Sequence, residues 1–148
     1  MDKEIKILIF SVNGDYYATD IMEVERIIGY IVPTKLPDSP HFIEGVINHE
    51  GHILPVMNLS KRFNLRNVDI VDDSKIIVAK EEQGKIGMIV DIVSEVRDIK
   101  EDDIETPPDV VAGISKRYIK GLIKLEDKIV VFLNISAILT EEEKKNLF

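Results

Sequence analysis

Short runs of aliphatic and β-branched residues, each ending at a turn dipeptide, dominate the pattern of apolar and polar positions. Residues 5–12 predict a strand, and Asn13-Gly14 predicts a hairpin turn in which both positions tolerate φ > 0. Residues 15–19 return. A second hairpin spans 42–48 and 52–58 around Glu50-Gly51, a third spans 75–80 and 85–90 around Gln83-Gly84, and a fourth spans 118–125 and 128–134 around Glu126-Asp127. Helix is scarce. Residues 60–63 make one turn, and Thr140 with Glu143 three positions on spells a capping box that predicts a helix over 141–147. The loop 33–40 carries three prolines, which excludes a central strand. A second proline loop, Pro107-Pro108, follows the acidic run 101–105, and residues 68–73 read as a linker near the midpoint.

The chain repeats itself. Phe42-Ile43-Glu44-Gly45-Val46-Ile47 aligns with Tyr118-Ile119-Lys120-Gly121-Leu122-Ile123. The match runs on without a gap: Glu50 on Glu126, Ile53 on Ile129, Asn58 on Asn134, Leu59 on Ile135, Ser60 on Ser136. At a shorter offset, Tyr17-Ala18 falls on Ile86-Gly87, Val24 on Val93, and Ile27 on Val96. Period-2 alternation alone would align any two hairpins, but Gly and Asn shared at fixed positions indicate duplication of one β unit. Such a unit is too small to bury a large core alone, so the copies should pack on each other. The chain is therefore expected to be one all-β domain of two subdomains, 1–70 and 71–148. Gly45 should superpose on Gly121, each where a Cβ would clash or φ is unusual.

Composition narrows the function. The 148 residues are 45% hydrophobic and 31% charged, as in a folded globule, and include no Cys, which removes disulfides and thiolate chemistry. Net charge is −8, a field that repels nucleic acid. The best basic cluster, Lys116, Arg117, Lys120 and Lys124, lies beside Glu126 and Asp127 and reads as a solvated strand face. The apolar N-terminal stretch is too short for a signal peptide, and the run from Ile129 to Leu133 is too short to span a bilayer, so a cytoplasmic protein without membrane insertion is expected. Catalytic chemistry is sparse. His49-Glu50-Gly51-His52 looks like a fragment of a zinc-protease motif, but that motif needs two His at i and i+4 on a helix. Here the spacing is i and i+3 across a hairpin tip, and the sequence offers no obvious third ligand. Phosphate-binding loops and the G-x-S-x-G nucleophile motif are absent, and Glu101, Asp102, Asp103 and Glu105 read as a solvated run. No enzyme, cofactor or metal is assigned.

From Phe42 to Phe63 the residues become specific. Phe42-Ile43-Glu44-Gly45-Val46, Asn48, Gly51, Ile53, Pro55-Val56, Leu59 and Arg62-Phe63 resemble the central motif of the CheW family. Asp20-Ile21, Val24 and Ile27 upstream, and Gly87, Val90-Asp91 and Val93 downstream, are similar to further family segments. The resemblance covers nearly the whole chain, in order. It implies two five-stranded β-barrels packed around a shared core, with a short C-terminal helix. It implies a non-catalytic adaptor that couples the cytoplasmic tips of methyl-accepting chemoreceptors to the regulatory domain of a CheA-type histidine kinase. Carried over by position, Val24, Arg26, Ile27, Glu50, Val93 and Val96 would line the receptor groove, and Glu105, Pro107, Pro108 and Val110 would contact the kinase. Two charges depart from the family pattern. Arg26 stands where an acidic residue is usual, and Glu50 where Arg is usual, so the pair is expected to face each other as a reversed ion pair. The rival readings are a small-molecule-binding β-barrel and an accessory subunit outside chemotaxis.

Overall fold

Polar and glycine-bearing turns end each run of β-formers, and the chain folds into successive antiparallel hairpins. The structure, a computed structural model, describes residues 3–66, 69–108, 110, 111 and 114–148, with the side chains of Val110, Val111 and Ile114 excepted. The strands are β1 (Glu4–Val12), β2 (Asp15–Asp20), β3 (Val24–Gly29), β4 (Ile43–His49), β5 (His52–Asn58), β6 (Lys75–Glu81), β7 (Gly84–Val90), β8 (Ile92–Lys100), β9 (Ile104–Glu105), β10 (Val110–Val111), β11 (Ile114–Ser115), β12 (Ile119–Leu125) and β13 (Lys128–Leu133). The helices are α1 (Leu59–Arg62), α2 (Ile135–Ile138) and α3 (Glu141–Leu147). Asn13 and Gly14 (φ 56° and 85°) join β1 to β2, and Glu50 and Gly51 (φ 51° and 82°) join β4 to β5. The third turn is Glu82-Gln83 rather than Gln83-Gly84. Gln83 N–H donates to Glu81 Oε1 at 2.6 Å, and Gly84 opens β7 beneath Phe148, whose ring a Cβ would meet at 2.7 Å. The linker expected at 68–73 begins at Val68, outside the described residues.

Strands β3 and β8 were not expected. Each carries a one-residue bulge: Val24 and Arg26 oppose Ala79 and Val78, and Val93 and Glu95 oppose Phe10 and Ile9. The extra residue breaks period-2 alternation and sets Val24 with Ile27, and Val93 with Val96, on one face of its strand.

The main strands form two sheets, in the orders β8-β1-β2-β13-β12-β9 and β3-β6-β7-β5-β4. Sheet membership does not follow the division 1–70 and 71–148. The hairpin β1–β2 lies with β12–β13, and the hairpin β6–β7 lies with β4–β5, so the two copies have exchanged their first hairpins. The seams so created, β2 with β13 and β5 with β7, are the parallel ones. Registers repeat as the sequence alignment requires: Phe10 opposite Val93 matches Ala79 opposite Val24, and Ala18 opposite Phe132 matches Gly87 opposite Val56.

Both faces of each sheet are buried. Leu8, Phe10 and Tyr17 meet Met57, Ile77 and Met88 in a core shared between the sheets. Ile7, Ile9, Ala18, Ile99, Ile123 and Phe132 form a second cluster drawn from the six-stranded sheet alone, and Ile47, Leu54, Val56, Ile76, Val78 and Ile89 form a third from the five-stranded sheet. A face buried only by strands of its own sheet requires that sheet to curl. The ladders nevertheless stay open, with β8 and β9 as edges of one sheet and β3 and β4 of the other. In place of two five-stranded barrels there are two open, curled sheets of six and five strands. Among the described residues no helix is long and apolar enough to cross a membrane.

Gly45 and Gly121 occupy matching bulges, in β4 and β12. A Cβ on Gly45 (φ 142°) would lie 2.1 Å from Thr34 O, and one on Gly121 would lie 2.2 Å from Ile104 Cγ2 and 2.9 Å from Glu105 O. Asn58 and Asn134 likewise match: each N–H donates at 2.8 Å, to Phe42 O and Tyr118 O, and each residue starts a one-turn helix. Gly45→Ala should cost about 2–4 kcal/mol from combined strain and overpacking, and Gly121→Ala a similar amount. Gly29→Ala meets open space and should stay within about 1 kcal/mol. Urea denaturation measures all three.

Candidate functional site

The bulged edge strands carry shared-core residues past the rim of the core. Val24 and Val93 are half-buried against it, while Ile27 and Val96 are 39% and 51% exposed. The same pair of positions in each copy thus presents an apolar step from core to surface.

Charged side chains frame that step on the five-stranded sheet. Arg26 Nη2 on β3 lies 3.6 Å from Glu50 Oε2 at the β4–β5 tip, so the reversed ion pair forms. It is one arm of a longer network. Glu50 Oε1 lies 3.2 Å from His49 Nε2, the same nitrogen lies 3.3 Å from Glu25 Oε2, and Glu25 Oε1 lies 2.5 Å from Lys85 Nζ on β7. The hydrogen bond from Lys85 is the main reason that the Glu25 carboxyl is held below the usual range. This network ties β3 to β4, the two unpaired edges of one sheet. The other sheet is tied at the matching tip by Arg97 on β8, which reaches Glu126 at 3.2 Å and Glu95 at 3.0 Å. Sequence reasoning paired Arg26 with Glu50 and weighed His49 only as a fragment of a metal motif, and it missed Glu25, Lys85 and Arg97, because β3 and β8 were not read as strands.

A second hub was also missed. The Arg62 side chain, 10% exposed, lies over the Phe42 and Tyr118 rings at 4.3 and 5.3 Å. It donates to Ile138 O at 2.8 Å and to both oxygens of Glu143 at 3.0 and 3.3 Å, joining α1, α2 and α3. The repeat paired Phe42 with Tyr118, but no sequence signal set an Arg between them.

The proline loop is only partly in view. Glu105 is exposed on β9, with Oε2 3.5 Å from Lys124; Pro107 is buried and Pro108 exposed. Asp109 and the side chain of Val110 lie outside the described residues. The basic cluster is not a free patch: Arg117 donates to Ala137 O, and Lys120 pairs with Glu23 at 3.2 Å. A groove of about 490 Å³ runs beside the charged network, lined by His49, Glu50, His52, Ile53, Lys85 and Phe148 among others.

Comparison with known proteins places this geometry in context. A family model described as CheW-like domain matches residues 6–143. The chemotaxis protein CheW of Bacillus subtilis is 32% identical over 141 residues, covering 95% of this chain and 90% of that protein. That of Thermotoga maritima is 32% identical over 142 residues, covering 94% and 90%. The crystal structure of the scaffolding protein TtCheW from Thermoanaerobacter tengcongensis matches with a TM-score of 0.87 and 35% identity, covering 95% of this chain and 91% of that one.

The Arg26–Glu50 pair is half exposed on both sides, so its coupling energy should be about 0–1 kcal/mol. A double-mutant cycle of Arg26→Gln and Glu50→Gln in urea should return that value at low salt and less at high salt.

Proposed function

The chain belongs to the CheW-like domain family, and from that premise we propose that it is a non-catalytic scaffold of chemotaxis signalling that couples chemoreceptors to a CheA-type histidine kinase. The match of nearly the full chain to a solved scaffolding protein, at a TM-score of 0.87, carries this reading. The protein would act in the cytoplasm, held near the membrane through receptor arrays. Its two curled sheets correspond to the two barrels of the family description, with the open edges of at least one tied by side chains rather than by a ladder.

Reversible coupling needs surfaces that bind without becoming permanent core. In this reading Val24, Ile27, Val93 and Val96 receive the receptor tip, a helical segment whose apolar face would lie against the exposed half of that step. Arg26 and Glu50 set which receptor fits, through charge order rather than through stability. The regulatory domain of the kinase would dock against Glu105, Pro108 and Val110, with Pro107 anchoring the loop from within. A proline pair there lowers the entropy lost when the loop is fixed by a partner.

Pull-down with the regulatory domain of a CheA-type kinase, and with a receptor-tip fragment, tests the reading. Both should be retained, and capture of neither would end it. Ile27→Asp and Val96→Asp should each weaken receptor binding by at least about tenfold with an unchanged urea midpoint. Val24→Asp and Val93→Asp should lower binding and stability together, since both side chains also pack on the core. Arg26→Glu and Glu50→Arg should each impair receptor binding, and the double swap should recover part of it. Val110→Ser should weaken kinase binding alone.

A further inference from the structure

We propose that Glu25, His49 and Glu50 form a binding site for one divalent transition-metal ion of the zinc class. Three donor groups converge there from β3, from the end of β4 and from the β4–β5 turn, and their ligand atoms all lie within 4.8 Å of one another. His49 Nε2 stands 3.3 Å from Glu25 Oε2 and 3.2 Å from Glu50 Oε1. Donors bound at zinc distances in a tetrahedral site lie about 3.4 Å apart along each edge. Two of the three edges thus already match that value, and the third, between the carboxylates, lies within 4.8 Å. A ring nitrogen has at most one proton to donate for the two carboxylates that face Nε2, whereas a cation between the three groups satisfies both.

The outer atoms support the same assignment. Lys85 holds Glu25 by Oε1, and Arg26 holds Glu50 by Oε2, so each cation takes the carboxylate oxygen turned away from His49. That leaves Oε2 of Glu25 and Oε1 of Glu50 oriented inward, as outer-shell partners do at metal centres. The His49 side chain is 9% exposed, which shields the site on one side. The groove lined by His49, Glu50 and His52 lies beside two of the three donors.

The fold does not require this cluster. The positions matching Glu25, His49 and Lys85 in the other copy are Ser94, Leu125 and Tyr16, and that sheet is tied by Arg97 and Glu126, with no second ligand set among the described residues. Glu50 has a carboxylate counterpart in Glu126, so Glu25 and His49 are the two ligand groups that this copy adds to a shared scaffold.

Calorimetric titration of the chelator-treated full chain with zinc chloride should show saturable binding of one ion per chain at micromolar zinc. Titration with cobalt(II) should give the intense visible absorption of a tetrahedral complex. Glu50→Gln, at an exposed turn, should weaken binding at least about tenfold, the scale of losing a group that shapes a metal centre, with an unchanged circular-dichroism spectrum. Glu25→Gln should do the same, and magnesium should not compete. His52→Ala should leave the affinity within about twofold of the parent, a shift far smaller than the loss of a ligand. Absence of saturable one-to-one binding overturns the proposal. So does binding that survives Glu25→Gln and Glu50→Gln but disappears with His52→Ala, since the metal then sits on surface imidazoles alone.

Discussion

Each half of this chain buries its first hairpin in the sheet of the other half, and everything else in the structure depends on that exchange. In β1, Ile7, Leu8, Ile9 and Phe10 are all buried, two facing each way. A strand apolar on both faces needs cover on both. β1 finds a pairing partner in β8 and a shared core against the other sheet, with pairs reaching from Glu4 to Lys100. The matching hairpin, β6–β7, makes the reciprocal move into the sheet of β4 and β5. Each fully buried Ile or Leu contributes about 1.5–3 kcal/mol, so the exchange concentrates stability in contacts between the copies. Folding should be a single cooperative event, and pairings this distant in sequence make it slow for the chain's length.

Much of this was legible. The hairpins were carried by turn chemistry at Asn13-Gly14 and Glu50-Gly51, and the last helix by the Thr140–Glu143 capping box, which closes with bonds of 2.8 and 3.1 Å. The duplication was carried by Gly45 with Gly121, where neighbouring atoms approach too closely for a Cβ, and by Asn58 with Asn134, which stand at the same helix entry. What escaped had physical reasons. Bulges hid β3 and β8 by breaking alternation, and with them went Glu25 and Arg97. The exchange of hairpins left no local trace, because an exchanged and an unexchanged copy have the same apolar pattern. Family analogy supplied closed barrels, whereas the ladder ends at the two-residue β9 on one side and at a single Thr34–Val46 bridge beside β4 on the other.

The helical end is held by a different kind of contact. α3 contributes only Leu147 to the shared core and is otherwise tethered by charge. Lys144 pairs with Glu81 at 2.7 Å with side chains 4% and 1% exposed, and Glu143 holds Arg62. The hydrogen bond to Glu81 is the main reason that the Lys144 ammonium is raised above its usual range. Buried pairs of this kind add little net stability over apolar packing, yet removing one partner strands the other without water. They therefore fix where α3 sits more than how strongly the domain folds.

A scaffold with internal twofold repetition faces a problem that the core does not solve. If its two ends were equivalent, one partner could bind at either end, and no directed assembly would result. The chain keeps the repeat where backbone geometry demands it and departs from it among the charged side chains at the two hairpin tips. Ile53 and Ile129 match and are both exposed, at 79% and 57%, so the apolar element of each end is retained. Around them the charges diverge: Arg26 matches Glu95, His49 matches Leu125, and Lys85 matches Tyr16. Exposed ion pairs worth about 0–1 kcal/mol each are too weak to shape the fold, and for that reason they are free to vary without unfolding it. Burial sets the common architecture, and the surface charges are what distinguish its two ends.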